Sequence, residues 1–345
     1  MASSGFAIVL FVIALMFPTS LFGAHTPSSS FTALNQLKYW SENVQGTMPG
    51  NLLSKLSPLN KEQAEHFTSL VSKKNLPFNA NHCSLANLAC SPKSFVNNLI
   101  HNIFYGYGRI SPSHVQHVDP SSFLRISLLK QGSMVHLPDL ENQLPQHSFL
   151  PSQIASKISI AENDLQKLFP QSLKNPQTKD AIQSTIVYCN TPALKDEIQS
   201  CVKSLEDMVE FAKTATGNNH LVALTSKNTK GSGKDLIVGQ MKKLKFGKTV
   251  SCHELFLPFS TYFCHLLSKT EVYAVDVLEP KTKIPINTVT VICHMDTSDW
   301  SPNHVAFKTA FTLGRRINDF MLIVQELVAE IDKKLRELNM LRESI

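Results

Sequence analysis

The sequence predicts an α+β protein: a helical N-terminal region followed by a β-rich mixed domain with disulfides. Three observations point there. Up to about residue 92 the chain is polar and patterned like helices. Beyond residue 123, helical stretches alternate with apolar, β-branched runs of strand length. Seven cysteines are spread from Cys83 to Cys293, a usage that suits an oxidising compartment.

The chain opens with twelve consecutive apolar residues, Phe6 to Phe17, followed by Pro18. A membrane-spanning helix needs about 20 such residues. The run instead suits the core of a secretory signal peptide, residues 1–24, with small residues at Gly23 and Ala24 for cleavage. No Lys or Arg precedes it, and bulky Phe22 stands near the cleavage point, both atypical. The expectation is a secreted protein with no membrane attachment after cleavage. About 320 residues would remain, enough for one large domain with an N-terminal extension or two modest ones.

Residues 25–110 form the N-terminal region. There Asn60 precedes Lys61-Glu-Gln-Ala-Glu-His-Phe, the pattern of a capped amphipathic helix. Residues 111–122 are rich in Ser, Pro and His, without hydrophobic period, and read as a linker. In the mixed domain, 123–311, helices are expected around 160–169 and 193–214. Strands are expected at 220–225, 234–238, 271–277 and 288–292. Residues 312–345 read as a charged helix. Its apolar stripe runs through Val324, Val328, Ile331, Leu335, Leu338 and Leu341.

The formal charge of +6 is local. Between residues 225 and 250 stand Lys227, Lys230, Lys234, Lys242, Lys243, Lys245 and Lys248 against a single acid, Asp235. One reading is a solvated, glycine-containing loop or hairpin. The other is a landing surface for a polyanion, centred on Lys242, Lys243, Lys245 and Lys248. In a secreted protein that polyanion is an acidic polysaccharide such as pectin. No aromatic interleaving suggests base stacking, which argues against nucleic acid. No Ser-His-Asp or paired-carboxylate pattern announces a hydrolase.

Close spacing suggests Cys83 with Cys90 and Cys189 with Cys201, although connectivity is not deducible from sequence. The odd count leaves one thiol over, so a disulfide-linked dimer is expected, or a helix-mediated one through the C-terminal stripe. Cys252-His253 is followed after ten residues by Cys264-His265, and after 27 more by Cys293-His294. Three such dipeptides exceed chance, and their spacing fits neither zinc knuckles nor an HExxH helix.

This spacing resembles the BURP family, whose signature is four Cys-His pairs. Ser122-Phe-Leu-Arg-Ile-Ser-Leu-Leu-Lys-Gln-Gly132, Met134-Val-His-Leu-Pro-Asp139, Ser148-Phe-Leu-Pro151 and Ser204-Leu-Glu-Asp-Met-Val-Glu-Phe-Ala212 are similar to other parts of that domain. Phe31 to Trp40, Leu56-Ser-Pro-Leu-Asn60 and Cys83-Ser-Leu-Ala-Asn-Leu-Ala-Cys90 resemble its polygalacturonase non-catalytic beta-subunit branch. Two departures stand out. The aromatic repeats usual in that branch shrink to Phe104-Tyr-Gly-Tyr-Gly108. The fourth Cys-His, due near 320–321, is replaced by Phe320-Met321. The resemblance implies a non-catalytic wall or apoplast protein whose partners are pectin or a polygalacturonase. It also implies an alternative, a copper-dependent peptide cyclase with His253, His265 and His294 as copper ligands, or an inactive degenerate member. Against copper stands the reading of these histidines as buried hydrogen-bonding residues beside disulfides.

Overall fold

A computed structural model describes residues 31–73, 77–91, 123–140, 144–298 and 300, together with the strand backbones 320–323 and 327–331. The signal peptide, the linker and the Phe104–Gly108 segment lie outside them. No described helix is long and apolar enough to cross a membrane.

The N-terminal region contributes α1 (Phe31–Asn43), β1 (Val44–Gln45), α2 (Gly50–Leu53), α3 (Lys61–Lys73) and α4 (Ala80–Leu85). The cap expected at Asn60 is present and reciprocal. Its Oδ1 accepts from Gln63 N–H at 2.8 Å, and Gln63 Oε1 accepts from Asn60 N–H at 2.9 Å. Ala64, Phe67, Leu70 and Val71 then form the buried stripe. The expected helix near 160–169 is α6 (Glu162–Leu168), preceded by the short α5 (Ser152–Ala155).

The helix expected over 193–214 is corrected. Glu197–Val202 is a strand, β4, and the helix α8 begins only at Leu205 and runs to Thr216. Ser204 marks the boundary, because its side chain accepts from Asp207 N–H. Glu206 and Asp207 then favour the first turn electrostatically. Gly217, at φ +73°, closes the helix in the left-handed conformation. An unpredicted helix, α7 (Pro176–Asn190), precedes β4 and carries standard start signals: Asn175 caps it and Pro176 opens it.

The remaining strands are β2 (Phe123–Arg125), β3 (Met134–His136), β5 (Leu221–Leu224), β6 (Asp235–Leu244), β7 (Phe246–Leu255), β8 (Thr261–Leu267), β9 (Thr270–Leu278), β10 (Pro285–His294), β11 (Phe320–Ile323) and β12 (Leu327–Ile331). All four expected strands are among them. They form two six-stranded sheets, β1-β5-β12-β7-β8-β4 and β2-β11-β10-β9-β6-β3. The helix expected over 312–345 is contradicted at 320–323 and 327–331, which are strands inserted between others. Apolar residues three or four apart suit a helix stripe, but partner strands on both sides satisfy this backbone instead.

The sheets face one another across Val272 and Ile292 on one side and Val222, Leu224 and Phe246 on the other. Helices α1 and α8 cover the far face of the first sheet through Trp40, Met208, Val209 and Ala212. The N-terminal region shares this core. It also adds β1 to β5 in parallel and packs Leu59, Phe67 and Phe78 with Phe256, Phe259 and Phe263.

A buried charge ties the two regions together. Lys55 is 1% exposed, and its Nζ meets Glu254 Oε1 of β7 at 2.6 Å. His147 Nε2 stands 3.5 Å from the same oxygen, while its Nδ1 donates to the Pro145 carbonyl. Burial is the main cause that pushes the His147 pKa down to about 4, aided by Lys55 and opposed by Glu254.

Lys55→Ala strands Glu254 in the core and should cost about 3–5 kcal/mol in chemical denaturation. Replacing Lys55 and Glu254 together by apolar residues should cost far less. The folded state keeps His147 neutral, whereas the unfolded chain takes up a proton once the pH falls below about 6.5. Stability should therefore be fully present above that value and decline as the pH drops toward 4. A denaturation midpoint that is flat over this window would contradict the burial of a neutral His147.

Candidate functional site: a row of imidazoles between two sheets

Strand alternation explains why the motif is a dipeptide. In β7 and β8, Cys252 lies directly opposite Cys264, and Ser251 and His253 lie opposite His265 and Phe263. Residues opposite each other in an antiparallel pair share a face. Both cysteines therefore turn toward α8, where they form a disulfide within the helix-covered core. His253 and His265, one residue on, turn to the other face, toward the second sheet.

From that sheet, β10 ends in His294. Ile292 lies two residues earlier on the face toward the first sheet, and Cys293 turns to the outer face with Val289, Val291, Val275 and Tyr273. The three imidazoles meet in a row. Ring centroids are 5.5 Å apart for His253 and His265 and 5.8 Å for His265 and His294, and Trp300 follows at 5.6 Å from His294.

Each ring is held differently. His265 is buried, and its Nδ1 lies 3.1 Å from Glu197 Oε1. Glu197 Oε2 accepts from Leu194 N–H at 2.8 Å, so the carboxylate is fixed from its own loop. His294 Nδ1 lies 3.3 Å from Thr270 Oγ1 on β9. His253 is held well below the ordinary imidazole pKa, first by desolvation and then by repulsion from His265 and His294. The close packing of the three rings favours the neutral form of His253.

The structure thus brings together all three expected histidines. It also adds Glu197, Thr270 and Trp300, which the sequence reading missed. Glu197 was hidden inside the misassigned helix. The donors are chemically suited to copper. Among the described residues, no group of three or more His, Cys, Asp or Glu is placed to hold a metal ion.

Disulfides join Cys83 to Cys90 and Cys189 to Cys201, the two pairings suggested by close spacing. Cys293 takes part in none of the three described disulfides and is 0% exposed.

The lysine-rich stretch is a loop in its first part only. Lys227, Lys230 and Lys234 stand in the glycine-containing loop between β5 and β6, whereas Lys242, Lys243, Lys245 and Lys248 lie at the end of β6, the crossing at Lys245 and the start of β7, which belong to different sheets. A bulge between Val238 and Met241 bends β6 on the way. Gly239 permits it, since a Cβ there would stand 2.9 Å from Leu278 Cδ2. Lys242, Lys243, Lys245 and Lys248 are all exposed at this corner, and Lys243 Nζ meets Glu271 Oε1 at 2.5 Å.

The family model for the BURP domain matches residues 122–314. The chain belongs to the BURP family. Among its relatives, polygalacturonase-1 non-catalytic subunit beta of Solanum lycopersicum is 37% identical over 196 residues. Polygalacturonase 1 beta-like protein 1 of Arabidopsis thaliana is 36% identical over 196. In each case the match covers 55% of this chain and 31% of the relative. BURP domain-containing protein 16 of Oryza sativa subsp. japonica is 31% identical over 314 residues, covering 87% of this chain and 89% of that protein. The BURP chain described here therefore resembles the rice protein over most of its length, and the polygalacturonase-related proteins over less than a third of theirs.

The incomplete fourth pair gains a position from the register. Cys293 lies opposite Met321, and His294 opposite Phe320. This is the relation of Cys252 to Cys264, so the missing cysteine belongs at 321 and its histidine at 322. The sequence spacing had placed them one residue earlier, a shift that would exchange the two faces. Met321→Cys should form a disulfide with Cys293, detected by non-reducing peptide mapping. Phe320→Cys, one residue out of register, should not. Cross-linking by the second variant alone would overturn the pairing of β10 with β11.

Proposed function

We propose that this BURP protein is a secreted, non-catalytic component of the plant cell wall that binds pectin and associates with a polygalacturonase. The observation that carries this reading is the exposed lysine corner, in a chain whose relatives include named polygalacturonase non-catalytic subunits. Lys242, Lys243, Lys245 and Lys248 concentrate positive charge where two sheets meet. A polyuronate carries a carboxylate on each unesterified sugar, so its attraction to such a corner is long-ranged and salt-dependent. The signal-peptide pattern of residues 1–24 fits the same compartment, as do the disulfides.

The test is retention on immobilised polygalacturonate, with and without an added polygalacturonase. The protein should bind, elute earlier as salt rises, and delay elution of the enzyme. Changing all four lysines to Gln should abolish retention and leave the melting temperature nearly unchanged, because the side chains are exposed. Retention equal to that of the unchanged protein would remove the corner from the proposal.

The imidazole row supports a second reading, as a copper site that needs ring rotation to close. The Glu197 carboxylate on His265 is the kind of orienting partner that metal-bound histidines have. When bound, copper would supply redox chemistry to this buried seam. His253, His265 and His294 would hold it, and Glu197 would fix one ring. Copper titration should show weak binding. Met321→Cys with Leu322→His should strengthen it by about tenfold to a hundredfold, the range over which changes around a metal centre act. Tight stoichiometric binding by the unchanged chain would show that three imidazoles suffice.

A further inference from the structure

Beside the lysine corner lies an open groove of about 540 Å³, lined by residues of both sheets and of the β8–β9 turn. Three of its side chains are lysines: Lys243, Lys245 and Lys269. Lys242 and Lys248, although equally part of the charged sequence run, do not line it. We propose that this groove is a subsite for a short run of carboxylate-bearing sugar units, with Lys243, Lys245 and Lys269 as its cationic contacts. The inference rests on the pectin reading above and adds a place, a new residue and a division among the lysines.

The lining matches a sugar acid better than an acidic peptide or a phosphate. A uronate ring has one charged corner, a rim of hydroxyls and a face of C–H bonds. The groove offers ammonium groups, the Thr249 hydroxyl and the apolar surfaces of Phe246 and Met295, and its one carboxylate, Glu271, is already held by Lys243 and Tyr273. None of its cations is an arginine, the side chain whose planar fork favours bidentate binding of phosphate.

Two of the ammonium groups are positioned beforehand. Lys243 meets Glu271 Oε1 at 2.5 Å, and Tyr273 O–H donates to Glu271 Oε2 at 2.6 Å, so the carboxylate is gripped from both sides. Lys269 Nζ meets Asp296 Oδ2 at 2.7 Å. Lys245 has no ion-pair partner among the described residues and is the contact on which an incoming carboxylate depends most.

Lys269 supplies an independent observation. Its φ is +57°, in the left-handed region where glycine or asparagine is at ease and a long side chain is uncommon. Lys283, at φ +61° in the β9–β10 turn, shares that conformation, so what sets Lys269 apart is its place on the groove and its pair with Asp296.

The experiment measures binding of a short galacturonate oligomer by calorimetry at low salt, using the full chain. Its fully methyl-esterified counterpart serves as the uncharged control. Lys245→Gln and Lys269→Asn should each weaken binding about threefold, and together about tenfold, as expected for exposed charge pairs. Lys269→Asn suits the turn, so its thermal midpoint should hold or rise while affinity falls. Lys242→Gln with Lys248→Gln should weaken binding of the oligomer less than the groove pair does. Equal losses in both sets, no loss in the groove set, or undiminished binding of the ester would each overturn the groove while leaving retention on long pectin intact. An unchanged protein that fails to bind both the oligomer and polygalacturonate would overturn the groove and the pectin reading together.

Discussion

The imidazole row depends on one covalent constraint, the cross-strand disulfide between Cys252 and Cys264. It links residues that lie directly opposite in β7 and β8, so it fixes the register of the two strands to the residue. A slip by one would send His253 and His265 into the helix-covered core and the cysteines into the seam between sheets. The dipeptide is therefore a unit with a physical purpose. Its cysteine locks the register on one face, and its histidine uses that register on the other. Glu197 adds a second strand to the lock, because β4 pairs with β8 and carries the carboxylate to His265.

The same strand is anchored from the N-terminal side. Glu254 follows His253 and turns, like Cys252, toward the helices, where it receives Lys55. Burying a lysine this deeply is tolerable only because the carboxylate meets it at hydrogen-bonding distance. Such a pair adds little net stability beyond an apolar contact, but it punishes misplacement severely. Residues 31–90 thus dock in one arrangement against β7, and Leu59, Phe67 and Phe78 supply the apolar burial that drives the docking. The helical region serves as part of the scaffold that holds the seam.

How much of this was legible in the sequence depended on the range of the interactions involved. Features decided locally were visible. The Asn60 cap and the β-branched strands near 271–277 and 288–292 read correctly, and so did the two short disulfide loops. Features decided by distant partners were not. Residues 197–202 look as helical as strand-like until β8 offers its edge, and the stripe through Val324, Val328 and Ile331 meets a helix period as well as it meets flanking strands. The lysine run is a loop at Lys227, Lys230 and Lys234, as read, but beyond Asp235 its backbone bonds belong to two sheets. At the candidate site the histidines were visible as a motif. Their close packing, and Glu197, Thr270 and Trp300 around them, came only from the packing of two sheets.

The seam and the lysine groove are built from a single turn. Between β8 and β9, Lys269 lines the groove while Thr270, the next residue, contacts His294. The pairing of Met295 N–H with the Lys269 carbonyl at 3.0 Å closes the same turn onto the residue after His294. Two of the imidazoles are therefore set by a disulfide-locked strand pair, and the third by a turn with an unfavourable backbone conformation. Where the family pattern would place a second cross-strand disulfide, Cys293 faces Met321. The orientation of His294 thus rests on β9, Thr270 and Trp300 without covalent help.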